Sequence, residues 1–209
     1  MRDLRAPTFP PGQGERLVRD VYKRDFRERY EAIRHADSWK LERRQHFEEK
    51  GSPSRDALSR GDWAEALRLI DARREDLIAS ALDDERRGSR FHRVRVVEKP
   101  LTPYLQWELH SLRQRAECDE RIRTVDAEMV AASESEKILP ELVVLGGHTL
   151  YEVLYTESGE SCGAVRHTAP DVVGIWEGYI KELYRAGEDV ETYFAREVAH
   201  LPPPTMNAE

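Results

Sequence analysis

The spacing of apolar residues changes period near residue 90, and that change limits the folds open to this chain. Upstream, apolar side chains recur every three or four residues. At Phe91-His92-Arg93-Val94-Arg95-Val96-Val97 they begin to alternate and become β-branched, the pattern of a strand. Pro100 stops it, and Leu101 to Glu117 returns to helical spacing with Leu105, Leu109, Leu112 and Ala116 on one side. Arg121-Ile122-Arg123-Thr124-Val125 reads as a second strand. A strand, a helix of about five turns and another strand predict a right-handed parallel crossover.

On the N-terminal side, residues 1–14 hold Pro7, Pro10, Pro11, Gly12 and Gly14 and read as a flexible tail. Residues 15–88 read as a helical region. Leu17, Val18, Val21, Tyr22, Phe26 and Tyr30 form a first stripe. Ser38 caps a second segment carrying Trp39, Leu41 and Phe47, which Lys50-Gly51-Ser52-Pro53 ends. Asp62 and Glu65 make a capping box for a third helix that runs to Arg86-Arg87-Gly88.

After the crossover, the polar stretch 126–139 reads as a mobile loop. Leu142–Leu145 and Leu150–Tyr155 flank Gly146-Gly147 and predict an antiparallel hairpin. Gly163–His167 is a last strand. Pro170-Asp171 opens a helix with Val172, Trp176, Tyr179, Ile180 and Leu183 inside, and a short helix carries Val190, Tyr193 and Phe194. Residues 201–209 read as a second tail. The expected class is α+β or α/β: a helical N-terminal region, then a β-α-β-β-β-α-α domain over residues 89–200 with a mixed sheet.

Charged residues make up 35% of the chain and the net charge is −7, which argues against bulk affinity for nucleic acid. The charge is uneven: 23 Lys and Arg face 19 Asp and Glu up to residue 95, and 10 face 21 beyond it. A local basic patch in the first half therefore leaves nucleic acid open as a lesser partner. No apolar run reaches the roughly 18 residues of a membrane span. The opening Met1-Arg2-Asp3-Leu4-Arg5 lacks the apolar core of a secretion signal. With only Cys118 and Cys162, a disulfide framework or zinc site is not expected, and the cytoplasm is the expected compartment.

Several familiar catalytic signatures are missing: no P-loop, no GxGxxG after the first strand and no HExxH. No cofactor or metal is expected. The densest basic feature is Arg86 to Arg95. On a strand, Arg93 and Arg95 point the same way with about 7 Å between them, a spacing that suits a phosphate or carboxylate. Arg121 and Arg123 repeat the spacing on the second strand, so adjacent strands are expected to gather all four guanidiniums into one patch beneath the crossover helix. That helix adds Tyr104, Trp107 and Glu108. Tyr104 and Glu108 lie one turn apart on one line. The competing structural reading pairs these arginines with carboxylates of the flanking helices.

The run Arg93-Val94-Arg95-Val96-Val97-Glu98-Lys99-Pro100-Leu101-Thr102-Pro103-Tyr104-Leu105-Gln106-Trp107-Glu108, with Glu120-Arg121-Ile122-Arg123 after it, resembles a family of uncharacterised actinobacterial proteins often encoded beside helix-turn-helix regulators. The resemblance implies a regulatory or accessory role and a helix-turn-helix regulator as partner. The element order is also similar to phospholipase D-like effector domains, but the His-x-Lys motif that their chemistry needs is absent here. The expected function is a non-catalytic regulatory or accessory module that binds a small anionic molecule or a regulator protein. The alternative is a biosynthetic group transferase acting on an activated acyl or phosphoryl donor, possibly linked to tRNA. In that case Arg93, Arg95 and Arg123 hold the donor and Tyr104 or Glu108 moves protons.

Overall fold

A computed structural model describes residues 5–134 and 137–205. Strand β1 (Glu15–Val18) leads into helix α1 (Arg19–Ala32), then β2 (Ser38–Glu42), and three helices follow: α2 (Pro53–Ser59), α3 (Trp63–Asp71) and α4 (Arg74–Arg86). The crossover is β3 (Phe91–Val97), α5 (Pro103–Glu117) and β4 (Arg121–Asp126), trailed by the short α6 (Ala127–Val130) and a 3-10 turn at Ala131–Glu134. The chain closes with β5 (Glu141–Leu145), β6 (Thr149–Tyr155), β7 (Ser161–His167), α7 (Pro170–Ala186), β8 (Glu188–Asp189) and α8 (Val190–Glu197).

The eight strands form one mixed sheet in the order β1-β7-β6-β5-β2-β3-β4-β8. β2, β3 and β4 are parallel, so the expected crossover forms. The β5–β6 hairpin also forms. Its turn holds Gly146 at φ +56° and Gly147 at φ +71°, the two positive φ values a type I′ turn requires. Gly163 has a different reason: a Cβ there would stand 2.2 Å from the carbonyl oxygen of Leu17 on β1.

The two faces of the sheet differ in chemistry. Trp39, Leu41, Val94, Val96, Val125, Leu142, Val144 and Leu150 line one face and meet Val172, Val173, Trp176, Ile180 and Leu183 of α7 in the main core. On the opposite face α5 and α8 cover Val97 and Ile122 at one side. At the other side α1 lays Tyr22, Phe26 and Tyr30 against Val143, Tyr151 and Val153. Between them a satellite core of Phe47, Ala57, Leu58, Ala66, Ile70, Tyr104 and Trp107 holds α2 and α3 against α5. The middle of this second face carries charge.

Several local expectations are corrected. The segment read as a helix capped by Ser38 is strand β2, because Trp39 and Leu41 pack into the main core while Lys40 and Glu42 face the other way. Ser52-Pro53 starts a helix instead of ending one: the Ser52 hydroxyl accepts the Arg55 N–H and Pro53 occupies the first turn of α2. The stretch after Asp62 splits into α3 and α4 at Ala72-Arg73, although Asp62 does cap α3 by accepting the Glu65 N–H at 3.1 Å. Residues 15–18, read as helix, pair with β7. Thus the region read as helical, 15–88, contributes two strands to the sheet that residues 89–200 complete. In the stretch read as a mobile loop, 126–139, Asp126 ends β4 and α6 and the 3-10 turn follow, while residues 135–136 lie outside the described residues.

The two tails make contacts as well. Phe9 stacks on His167 at 4.7 Å and on Trp176 at 4.8 Å, and the Pro202 carbonyl accepts from the Gln106 amide at 2.8 Å. The outermost parts of both tails, 1–4 and 206–209, lie outside the described residues. No helix among the described residues is long and apolar enough to cross a membrane.

Candidate functional site

Strand register decides which charges share a face. Lys40 lies beside Arg93 and Glu42 beside Arg95, so these four side chains project together from the centre of the sheet. Arg93 pairs with Ile122 and Arg95 with Thr124 on β4. The one-residue offset turns Arg121 and Arg123 to the opposite face, and the expected four-arginine patch does not form. Arg121 instead reaches back to Asp119 at 2.8 Å, half-exposed. Arg123 donates to the carbonyls of Tyr184, Arg185 and Gly187 at 3.2–3.4 Å and lies 4.9 Å from the Tyr184 ring centroid. It therefore caps the C-terminus of α7. A donor-binding trio of Arg93, Arg95 and Arg123 is split across the sheet.

The remaining candidates do come together. Arg95 is 0% exposed. Its Nε and Nη2 both lie 2.8 Å from Glu108 Oε2, and its Nη1 donates to the carbonyls of Glu42 and Val96. Arg93 donates from Nη1 to Glu42 Oε1 and from Nε to Glu120 Oε1, each at 2.7 Å. Lys40 Nζ meets the same Glu42 oxygen at 2.5 Å, and Arg115 takes the other oxygen of Glu120 at 3.1 Å. The Tyr104 hydroxyl donates to Glu49 at 2.8 Å, with Glu108 Oε1 at 3.4 Å. Trp107 Nε1 donates to Ser54 Oγ at 2.8 Å, and that hydroxyl donates to the Ala66 carbonyl.

Two carboxylates in this network are pushed in opposite directions. Burial opposes the ionised form of Glu42, but Arg93, Lys40 and Arg95 outweigh it and hold the group far below the usual carboxylate range. Burial dominates at Glu108 and raises it to about 7, with Arg95 opposing and Glu42 reinforcing. Three cations thus surround one fully ionised carboxylate on the sheet surface. Lys40 is the most accessible of them, its side chain 25% exposed, with two ammonium N–H groups beyond the one given to Glu42.

A cavity of about 330 Å³ opens over this surface, lined by Lys40, Glu42, Arg93, Trp107, Glu108 and Tyr155 among others. Its volume falls at the lower end of the roughly 300–1,000 Å³ typical of small-molecule sites. Arg73, from the turn between α3 and α4, and Arg115 of α5 also border it. The sequence points to Arg93, Trp107 and Glu108 but not to Lys40, Glu42, Arg73 or Arg115. The alternation Trp39-Lys40-Leu41-Glu42 is the signal that finds the first two. Arg73 and Arg115 are brought in by tertiary packing and leave no local signature.

No curated protein matches the chain. Among solved structures, the chain is similar to TrmBL2, an archaeal chromatin protein whose structure shows a novel mode of DNA binding. The identity is 11%, the TM-score 0.41, and the match covers 86% of this chain and 55% of that one, so the chain spans little more than half the length of that relative. Residues 24–195, which hold the sheet from β2 to β8, the crossover and every side chain of the charged cleft named above, match the family described as Domain of unknown function (DUF6879). The chain belongs to that uncharacterised family.

Proposed function

We propose that this protein is a non-catalytic accessory module that takes a small anion into the cleft over β2 and β3. The observation that carries the reading is the gathering of Lys40, Arg93 and Arg95 around the single carboxylate of Glu42, with Lys40 open to the cavity. The cavity lining as a whole carries six Lys and Arg against four Glu, an excess that favours a guest of opposite sign, and the two spare ammonium donors of Lys40 give it partners. Arg93, Arg95 and Arg115 are each held by a carboxylate, so Lys40 and Arg73 meet the ligand first and Arg115 adds its remaining donors.

The residues suited to proton transfer are committed elsewhere: Glu108 Oε2 is held by Arg95 and the Tyr104 hydroxyl by Glu49. This favours binding over group transfer. The resemblance to actinobacterial proteins encoded beside helix-turn-helix regulators supports a regulatory setting, with a regulator protein as the partner that reads the ligand-bound state.

Titration of the full chain with inorganic phosphate, followed by backbone amide shifts in β2 and α5, tests the reading. Saturable shifts are expected in the wild type. Lys40→Met is expected to weaken binding about tenfold, the equivalent of about 1.4 kcal/mol, with the melting temperature little changed because Arg93 still neutralises Glu42. Absence of saturable shifts, or equal affinity in the variant, would refute it.

A further inference from the structure

Resting on that reading, we infer that the cleft's ligand is a small phosphate ester carrying a free hydroxyl, with Glu42 as the residue that recognises the hydroxyl. Both cations that contact the Glu42 carboxylate use the same oxygen, Oε1. Its other oxygen, Oε2, is buried and has no hydrogen-bond partner among the described residues, although the residue lines the cavity. An ionised carboxylate only accepts hydrogen bonds, and leaving a buried acceptor unmet costs about 1–3 kcal/mol. The missing partner is therefore a donor.

The surroundings narrow what kind of donor fits. Lys40 and Arg93 already contact the same carboxylate, while the charge of Arg95 is met by Glu108, so an ammonium entering here meets the two like charges on Glu42. A neutral hydroxyl meets none of that repulsion. Lys40, Arg73 and Arg115 reach the cavity from β2, from the turn before α4 and from α5. Cations approaching from three elements suit a tetrahedral oxyanion with several acceptor oxygens better than a planar carboxylate. Trp107, Phe47 and Tyr155 supply apolar wall for a short carbon skeleton between the two ends.

The test compares glycerol 3-phosphate, n-propyl phosphate and inorganic phosphate by calorimetry on the full wild-type chain. The first two share a phosphate and a three-carbon chain and differ in the hydroxyls. Glycerol 3-phosphate is expected to bind at least tenfold more tightly than n-propyl phosphate. Glu42→Gln, which replaces the charged acceptor with an amide, is expected to shrink that preference to about threefold or less. Equal affinity of the two esters in the wild type overturns the inference while leaving the anion reading intact. If no phosphate compound binds, both fail. The wild-type comparison decides the matter even if the variant does not fold.

Discussion

Glu141 shows how a single buried carboxyl links this fold to pH. It opens β5 at 5% exposure, and its Oε1 accepts the backbone N–H groups of Arg43 and Arg44 at 2.9 and 2.6 Å. Those bonds fix the chain as it leaves β2. Burial, aided by the charge of Glu42, raises the group to about 7. A carboxyl raised in the native state keeps its proton where the unfolded chain has lost its own, so its contribution is complete below about pH 4.5 and disappears as pH climbs through 7. Glu108 acts in the same direction, whereas Glu42 is lowered and its contribution is lost in acid. Burial lowers His92, His110 and His167, which favours the fold as pH rises and acts alike in wild type and variant. Urea unfolding at pH 5 to 8 should therefore show the wild type losing stability relative to Glu141→Gln by up to about 3 kcal/mol. Parallel pH curves for the two proteins would show that Glu141 does not titrate in this range.

Among the elements, α4 is the least anchored. Asp84 is its only buried residue, while Ile78 and Leu82 are 45% and 49% exposed. In contrast, α5 buries Tyr104, Leu105, Trp107, Glu108, Leu109 and Leu112 and lies between two cores. Local opening follows buried contact. Amides of α4 should therefore exchange with deuterium at least a hundredfold faster than those in the middle of α5; comparable protection would mean that a further contact covers α4.

The legibility of the elements in the sequence follows the same physics. The crossover, the hairpin and α7 were readable because their patterns span seven or more residues or carry a turn that only glycine satisfies. β1 and β2 are four and five residues long, too short for alternation to outweigh the helical composition around them. Ser38 and Ser52 illustrate the ambiguity of a lone serine: the first starts a strand and the second caps a helix. Arg93, Trp107 and Glu108 were found because they neighbour one another on the crossover. Arg121 and Arg123 face away from Arg93 and Arg95 through a one-residue offset in register, which no local pattern fixes.

At the scale of the molecule, β2 is the piece that makes the sheet continuous. It joins β3 in parallel on one side and β5 in antiparallel on the other, and its Trp39 and Leu41 sit in the main core. A fragment of residues 89–209 loses that strand, the two ion pairs that Glu42 makes with Lys40 and Arg93, and the cover supplied by α1 to α4. It should lack near-ultraviolet circular dichroism and dispersed amide signals; a fragment with native-like spectra would show that the second part folds without the first.

The same placement gives the chain a timetable during synthesis. Ser38 finds its neighbour at Phe91 and Trp39 its other neighbour at Val144, while Leu17 waits for Ala164. The strand at the middle of the sheet leaves the ribosome long before either flank exists, and the edge strand β1 must remain unpaired for longer still. Contacts so distant along the chain slow folding, so the half-made protein passes through a long interval with an open strand edge and bare Trp39, a stage at which a chaperone has something to hold.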